Sequence, residues 1–459
     1  MRSAAIAALA LVAAVQTGCD DGTPLVPADY DRRAVADRLI AELEAEGFTV
    51  DEGRFAFFRV EDCASLPSCY GNNPSSPYGL YLLPPAPDEV IDPTTPPLSD
   101  ATVRSTFRLG GDEAVVFLGR TPPEARYFGF RSYLASRQGV DLFASLGDTT
   151  NHRVIATGGG SSGSFDQETV VVTTASAPLD ARLRRFFARE GAGGIVNTDV
   201  LPSTELVLGR SASADVLTML FRVALFADET AGASYIANPP AVVLRVRPNA
   251  PIAAGALPAP PPRPRGTGKD ESDFADALAR LEAAIRARHA THTAQPIGVL
   301  GLPLVGADCI AGGYGCLGDN ADTLYFASGP TLLREAPADF LVIFGVDHTR
   351  AGKASYTNVA VYETERRMGV AALADDAFAG SAAEYLGTSD PDADHLFAIR
   401  VARDCTGLAH CLAVPTAFPG VPLDKTLTVA VRPYLEAATQ TGPSLEELLP
   451  PRAIRFTPP

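Results

Sequence analysis

Six of the seven cysteines in this 459-residue chain stand in close pairs: Cys63/Cys69, Cys309/Cys316 and Cys405/Cys411. Each pair follows an aspartate, Asp62, Asp308 or Asp404. Thiols this close can form a small disulfide ring or ligate a metal. The spacing is not the usual zinc spacing, so we read three disulfide loops and an oxidising compartment. Each ring should stabilise the fold by about 2 kcal/mol in the chain-entropy model.

Three other groups could carry chemistry. Residues 159–163 (GGSSG) fit Gly-x-Ser-x-Gly, with Ser161 as a candidate nucleophile. A hydrolase elbow needs a strand before the serine and a helix after it. Val154–Thr157 reads as the strand, but 164–168 lead into another strand, and the Gly/Ser run reads as a loop. The same glycines lack the Gly-Lys-Ser/Thr of a phosphate loop. Asp390, Asp392 and Asp394 alternate like the start of a calcium loop, whose oxygens suit that hard cation. His395 then replaces the required glycine and Val401 the bidentate glutamate. The expectation is an acidic turn, at most a weak structural calcium site, and no other cofactor. Asp347 and His348 close the apolar run Phe340–Val346, where a strand end can present an acid–base pair. His289 and His292 lie three apart at a helix end and read as solvated there. No catalytic constellation converges, so the reading leans away from an enzyme without deciding it.

The elements that would position these groups occur twice. Tyr30–Gly47 and Asp270–His289 both carry apolar residues at helical spacing. Asp62-Cys63…Cys69-Tyr70-Gly71-Asn72-Asn73 aligns with Asp308-Cys309…Cys316-Leu317-Gly318-Asp319-Asn320. Further on, Leu217…Arg222…Leu225 matches Leu427…Arg432…Leu435, and Arg245 matches Arg455. The first copy is longer, with Pro84–Pro97 and Gly158–Gly163 as natural places for the excess. The apolar segments read as strands. Met219–Phe226 is ambiguous alone, but its counterpart Thr426–Arg432 is rich in β-branched residues, so both read as strands. Asp180–Glu190 reads as a helix. Residues 249–269 are proline-rich and read as a semi-extended linker without packing of its own. Because Arg222 and Arg432 recur, they read as structural.

The expected fold is therefore mainly β with minor α: two tandem homologous β-sandwich or jelly-roll-like domains, each preceded by a helix. The divisions are 1–18, 19–29, 30–248, 249–269 and 270–459. Asn320-Ala321-Asp322-Thr323-Leu324-Tyr325 resembles the Asn-x-Asp-Thr-Leu-Tyr motif of a bacterial two-domain β-sandwich family of unknown function. Asn73 and Tyr78 keep only its ends in the first copy. The resemblance implies a pair of sandwiches and names no reaction or site residue.

Residues 1–18 join Arg2 to an apolar run, Ala4–Val15, too short to span a bilayer. The sequence Val15-Gln16-Thr17-Gly18-Cys19 resembles a bacterial lipobox, with Gln16 where that pattern has an apolar residue. The resemblance implies a cleaved signal peptide, a lipidated Cys19 and a polar tether over 19–29. The net charge of −16 argues against nucleic acid as a partner, which needs a basic face. The expectation is a lipid-anchored protein of the bacterial cell envelope, periplasmic or at the cell surface. It would bind a small-molecule ligand or an envelope partner. The alternative is an exported hydrolase with its site in the second domain or at the domain junction.

Overall fold

The computed structural model describes residues 25–92, 97–160 and 163–459. Cys19, the apolar run before it and Ser161 lie outside the described residues. Asp31 caps helix α1 (Arg32–Ala45), its carboxylate accepting from the backbone N–H of Arg33 and Ala34. Gly47, at φ +86°, lets the chain turn straight into a strand.

The first sandwich holds β1 (Phe48–Glu52), β2 (Arg54–Phe58), β3 (Tyr78–Leu82), β4 (Ala114–Arg120), β5 (Ala125–Arg137), β6 (Val140–Ser145) and β7 (Thr150–Asn151). It continues with β8 (Glu168–Thr174), helix α2 (Ala177–Arg189), β9 (Val196–Val200), β10 (Val216–Phe226), helix α3 (Glu229–Ala237) and β11 (Ala241–Pro248). The second opens with helix α4 (Ala275–Arg288), β12 (Thr293–Ile297), β13 (Val299–Leu302), helix α5 (Gly306–Gly312) and β14 (Tyr325–Ser328). It continues with β15 (Phe340–Val346), β16 (Tyr356–Glu363), β17 (Met368–Ala374), helix α6 (Ala383–Leu386), β18 (Leu396–Ala402), β19 (Cys411–Ala413), β20 (Leu427–Tyr434) and β21 (Arg452–Thr457).

Each sandwich is two sheets, and the sheets correspond strand for strand. The outer sheets run β1-β11-β4-β8-β9 and β12-β21-β15-β18-β19. The inner sheets run β2-β3-β10-β5-β6 and β13-β14-β20-β16-β17. Pairing is antiparallel except for β8/β9 and β18/β19, which are parallel in both copies.

Alternation along the strands sets the layers. In β4, Val115 and Phe117 fill the core between the sheets, while Ala114, Val116 and Leu118 pack under α1 and α2. In the second copy Leu341 and Ile343 face the inter-sheet core, and Phe340, Val342 and Phe344 face α4. These strands are buried on both faces, so they read as unbroken apolar runs.

The length difference lies where two connections differ. One is 83–113, between β3 and β4. The other is the β8–β9 crossover, which contains α2; its counterpart holds only the Cys405–Cys411 loop. The glycine stretch near 160 is not an added loop, since the connection from β6 to β8 has a counterpart of similar length between β17 and β18. The expected strand Val154–Thr157 is absent: those residues form turn and coil, with Val154 and Ile155 both donating to the carbonyl of Asn151.

The proline-rich 249–269 segment forms no helix or strand and most of it is exposed, but hydrogen bonds tie it down at intervals. Ala177 donates to Gly255 O, Leu257 to Ala175 O, and the Arg263 N–H to the Asp148 carboxylate. Arg265 reaches the carbonyls of Ala321 and Thr323, so this stretch crosses the junction of the two sandwiches. The three expected cysteine pairs are joined as disulfides, with Cα–Cα distances of 5.6, 5.7 and 5.6 Å. Among the described residues no helix is long and apolar enough to cross a membrane.

Candidate ligand cavity between the sandwiches

The inner sheets face each other, and the duplicated cysteine loops tie them together by exchange. The loop closed by Cys63 and Cys69 docks on the second sandwich: Cys69 N donates to Arg366 O and Gly71 N to Arg367 O, at 2.8 and 2.7 Å. The loop closed by Cys309 and Cys316 docks on the first: Cys316 N donates to Leu142 O and Gly318 N to Phe143 O, at 2.6 and 2.7 Å. Next to each loop a side chain holds an N–H of the opposing hairpin. Asn72 Oδ1 accepts from Gly369 N, and Asp319 Oδ1 from Ser145 N.

The aligned asparagines act across the same junction. Asn73 Nδ2 donates to the hydroxyls of Tyr356 and Tyr434, and Asn320 Nδ2 to that of Tyr127. Asp322 accepts from Tyr127 and from Asn151 Nδ2 at 2.9 and 2.8 Å. Burial pushes the Asp322 carboxyl up to about 7. The recurring Asn…Tyr spacing thus places one residue on the opposite sandwich and one tyrosine, Tyr78 or Tyr325, beside a buried arginine.

Between the inner sheets lies a cavity of about 1080 Å³. Strand alternation creates it. Leu217, Met219, Phe221 and Val223 of β10 point into their own sandwich core, which turns Val216, Thr218, Leu220 and Arg222 to the cavity. Leu427, Val429 and Val431 of β20 likewise point inward, leaving Thr428, Ala430, Arg432 and Tyr434 to line the opposite wall. Arg222 thus shares a face with Leu220, and that face is the cavity wall.

Two buried guanidinium groups sit in the walls. The Arg222 guanidinium lies 5.6 and 5.2 Å from the ring centres of Tyr78 and Tyr133, and donates to Tyr133 Oη and, at 2.7 Å, to Gly318 O. The Arg432 guanidinium lies 5.1 and 5.0 Å from Tyr325 and Tyr362 and donates to Gly71 O at 2.7 Å. Each arginine therefore clamps the exchanged loop of the other copy, which is the structural role expected from their recurrence. Among the described residues neither forms an ion pair with a carboxylate, and Arg432 Nε and Tyr362 Oη are buried without a hydrogen-bond partner. The walls carry four arginines (Arg108, Arg222, Arg367, Arg432) against two aspartates (Asp92, Asp141).

The sequence-derived candidates lie elsewhere and do not meet. His348 is fully buried beneath Phe326, its Nδ1 at 2.7 Å from the Glu271 carboxylate. Neighbouring Asp347 caps the turn after β15, accepting from Thr349 N. Neither lines the cavity. Asp390 and Asp392 turn onto the guanidinium of Arg280, at 3.3 and 2.8 Å, while Asp394 stands apart from that pair. Among the described residues no group of three metal-ligating side chains is present. The rings of His289 and His292 pack on Phe340 and Phe456 rather than standing solvated, and burial lowers His289 to about 4. The cavity was not legible from one strand alone. Its only sequence signal was a pair of arginines interrupting matched apolar strands.

No family model matches the chain and no curated protein matches it. Among solved structures it is similar to the VPA0106 protein from Vibrio parahaemolyticus, at 12% identity over 77% of this chain and 88% of that one, with a TM-score of 0.36. It is also similar to the B domain of a biofilm associated protein, at 9% identity over 86% of this chain and 72% of that one, with a TM-score of 0.17. Likenesses of this grade carry no argument about activity. The chain's own architecture defines its class: a disulfide-bonded tandem β-sandwich protein with a cavity between its sandwiches.

Proposed function

We propose that this chain is an exported, lipid-anchored envelope protein that binds a small molecule in the cavity between its two sandwiches. Residues 1–18 act as its signal peptide, Cys19 carries the lipid and 19–29 form the tether. Residues 30–248 and 270–459 are the duplicated domains. The three disulfides support an oxidising compartment. The observation that carries the binding reading is the cavity of about 1080 Å³, slightly larger than the usual range of ligand pockets and placed at a domain junction, where such pockets concentrate.

The test is a titration of the mature protein with N-phenyl-1-naphthylamine, a neutral apolar fluorophore. Saturable binding at one site is expected, and Leu220→Trp, which projects a larger side chain into the cavity from β10, should weaken it. An absence of saturable binding, or an unchanged titration in a folded Leu220→Trp variant, overturns the reading. Intact mass of membrane-extracted protein checks the anchor: acylation at Cys19 is expected, and an unmodified N-terminus refutes it.

A further inference from the structure

We infer that the ligand is an amphipathic acid, an apolar body ending in one carboxylate or phosphate, and that Arg222 and Arg432 receive its head. The inference rests on the cavity-binding reading and adds the chemistry of what is bound.

Outside the cavity wall this fold sets a carboxylate against each buried arginine, whereas Arg108, buried in the wall, meets only the carbonyls of Val90 and Ala214 among the described residues. Arg245 is fully buried and pairs with Glu89 and Glu113, at 2.5 and 3.0 Å. Its counterpart Arg455 pairs with Asp339 at 2.7 Å. Arg131 pairs with Asp199 at 3.0 Å. Each places a carboxylate against the guanidinium, as a charge removed from water requires. Arg222 and Arg432 are no less removed from water, at 6% and 7% exposure. They have tyrosine rings, single loop carbonyls and, for Arg222, the Tyr133 hydroxyl instead; among the described residues no carboxylate is in ion-pair contact with either, and that of Asp319 acts on Arg222 only from farther off.

A guanidinium has five N–H donors. Arg432 gives one to Gly71 O, and its buried Nε meets no acceptor. Each guanidinium packs on its own pair of rings, Tyr78 and Tyr133 for Arg222, Tyr325 and Tyr362 for Arg432, and both charges act on the hydroxyls of Tyr78 and Tyr325. The result is a doubly cationic, donor-rich spot in the wall of an apolar cavity. Its complement is an anion with a planar or tetrahedral oxygen head, which an arginine fork binds through paired hydrogen bonds. Leu80, Leu220, Leu302 and Leu304 supply the apolar wall for the rest of the ligand.

The experiment is calorimetric titration of the mature protein with dodecanoate, dodecyl phosphate and dodecanol, each below its aggregation concentration. At least one of the two anions should bind tenfold or more tightly than the alcohol, and the better of them identifies the head. Arg432→Met and, separately, Arg222→Met should reduce that preference to less than threefold. The comparison of anion with alcohol uses the unaltered protein, so it stands even where a variant fails to fold. Equal affinity for acids and alcohol, with the neutral fluorophore still bound, overturns the acid inference and leaves the cavity reading intact. Failure of the fluorophore and all three probes overturns both.

Discussion

At the scale of single residues, the junction holds polar groups in states that solvent would not permit. Asp322 is the sharpest case. It is fully buried, accepts from Tyr127 and Asn151, and has the Arg263 guanidinium at 3.8 Å. Burial outweighs these stabilising contacts, and the Asp148 carboxylate adds to the upward push, so its carboxyl is raised from 3.8 to about 7. A carboxyl raised in the folded state binds its proton more tightly there than in the unfolded chain. Its contribution to stability is therefore complete below pH ~4, falls as pH rises from there and is lost above about pH 7. Asp322→Asn removes this titration and keeps a polar group of the same shape. The melting temperature of the wild type minus that of Asp322→Asn should then be larger at pH 5 than at pH 8, by several degrees. A difference independent of pH would show that Asp322 is already ionised throughout that range.

At the scale of elements, the cysteine loops are clasps, and this explains what the sequence disclosed and what it concealed. Helices α1, α2 and α4 were legible because their apolar residues recur at helical spacing, and most central strands because both faces are buried; β21, though central, was not, since Arg452 and Arg455 interrupt its apolar run. The edge strands β1, β6, β9, β12, β13, β17 and β19 were not. They have one face or less in the core, so polar residues such as Asp51, Asp141 and Gln295 dilute the pattern. The repeated Asp-Cys motif was visible as a repeat, but not as an exchange, because the partner of each loop lies far away in the sequence, Arg366 for Cys69 and Leu142 for Cys316. The cavity escaped for the same reason: Arg222 becomes a wall residue only when β20 lies opposite. The closeness of the clasp can be tested at Gly369 in β17. A Cβ there would sit 2.5 Å from Asn72 O and within 2.7 Å of the Pro74 ring, across the junction. Gly369→Ala should cost about 1–3 kcal/mol, the usual penalty for overpacking, measured by urea unfolding. A loss below ~0.5 kcal/mol would mean that the hairpin and the loop do not approach this closely.

At the scale of the whole molecule, six layers run from helices through two sheets, across the cavity, through two more sheets and out to α4. The central junction has the logic of an isologous dimer interface, in which each half offers the same patch to the other. Here the patch is a disulfide loop, an asparagine, a tyrosine and an arginine from each half. Covalent linkage through 249–269 makes the contact intramolecular, which raises its effective concentration. The linker adds contacts of its own through Arg263 and Arg265. Neither half can satisfy its own loop, since the acceptors for Cys69 and Gly71 lie on β17's hairpin and those for Cys316 and Gly318 on β6. A half produced alone would expose the inner-sheet face that carries Tyr127, Leu220 and Arg222, or Tyr356, Ala430 and Arg432. Residues 25–248 and 249–459, exported as separate chains, should each be aggregation-prone or markedly less stable than the parent. Exported together, they should recover a one-to-one complex that binds the neutral fluorophore, because the exchange needs both surfaces but not the peptide bond between them. Size-exclusion chromatography with mass detection reads this directly. Two stable, monomeric halves that ignore each other would show that the clasp contributes little, and that the sandwiches are held side by side by the linker alone.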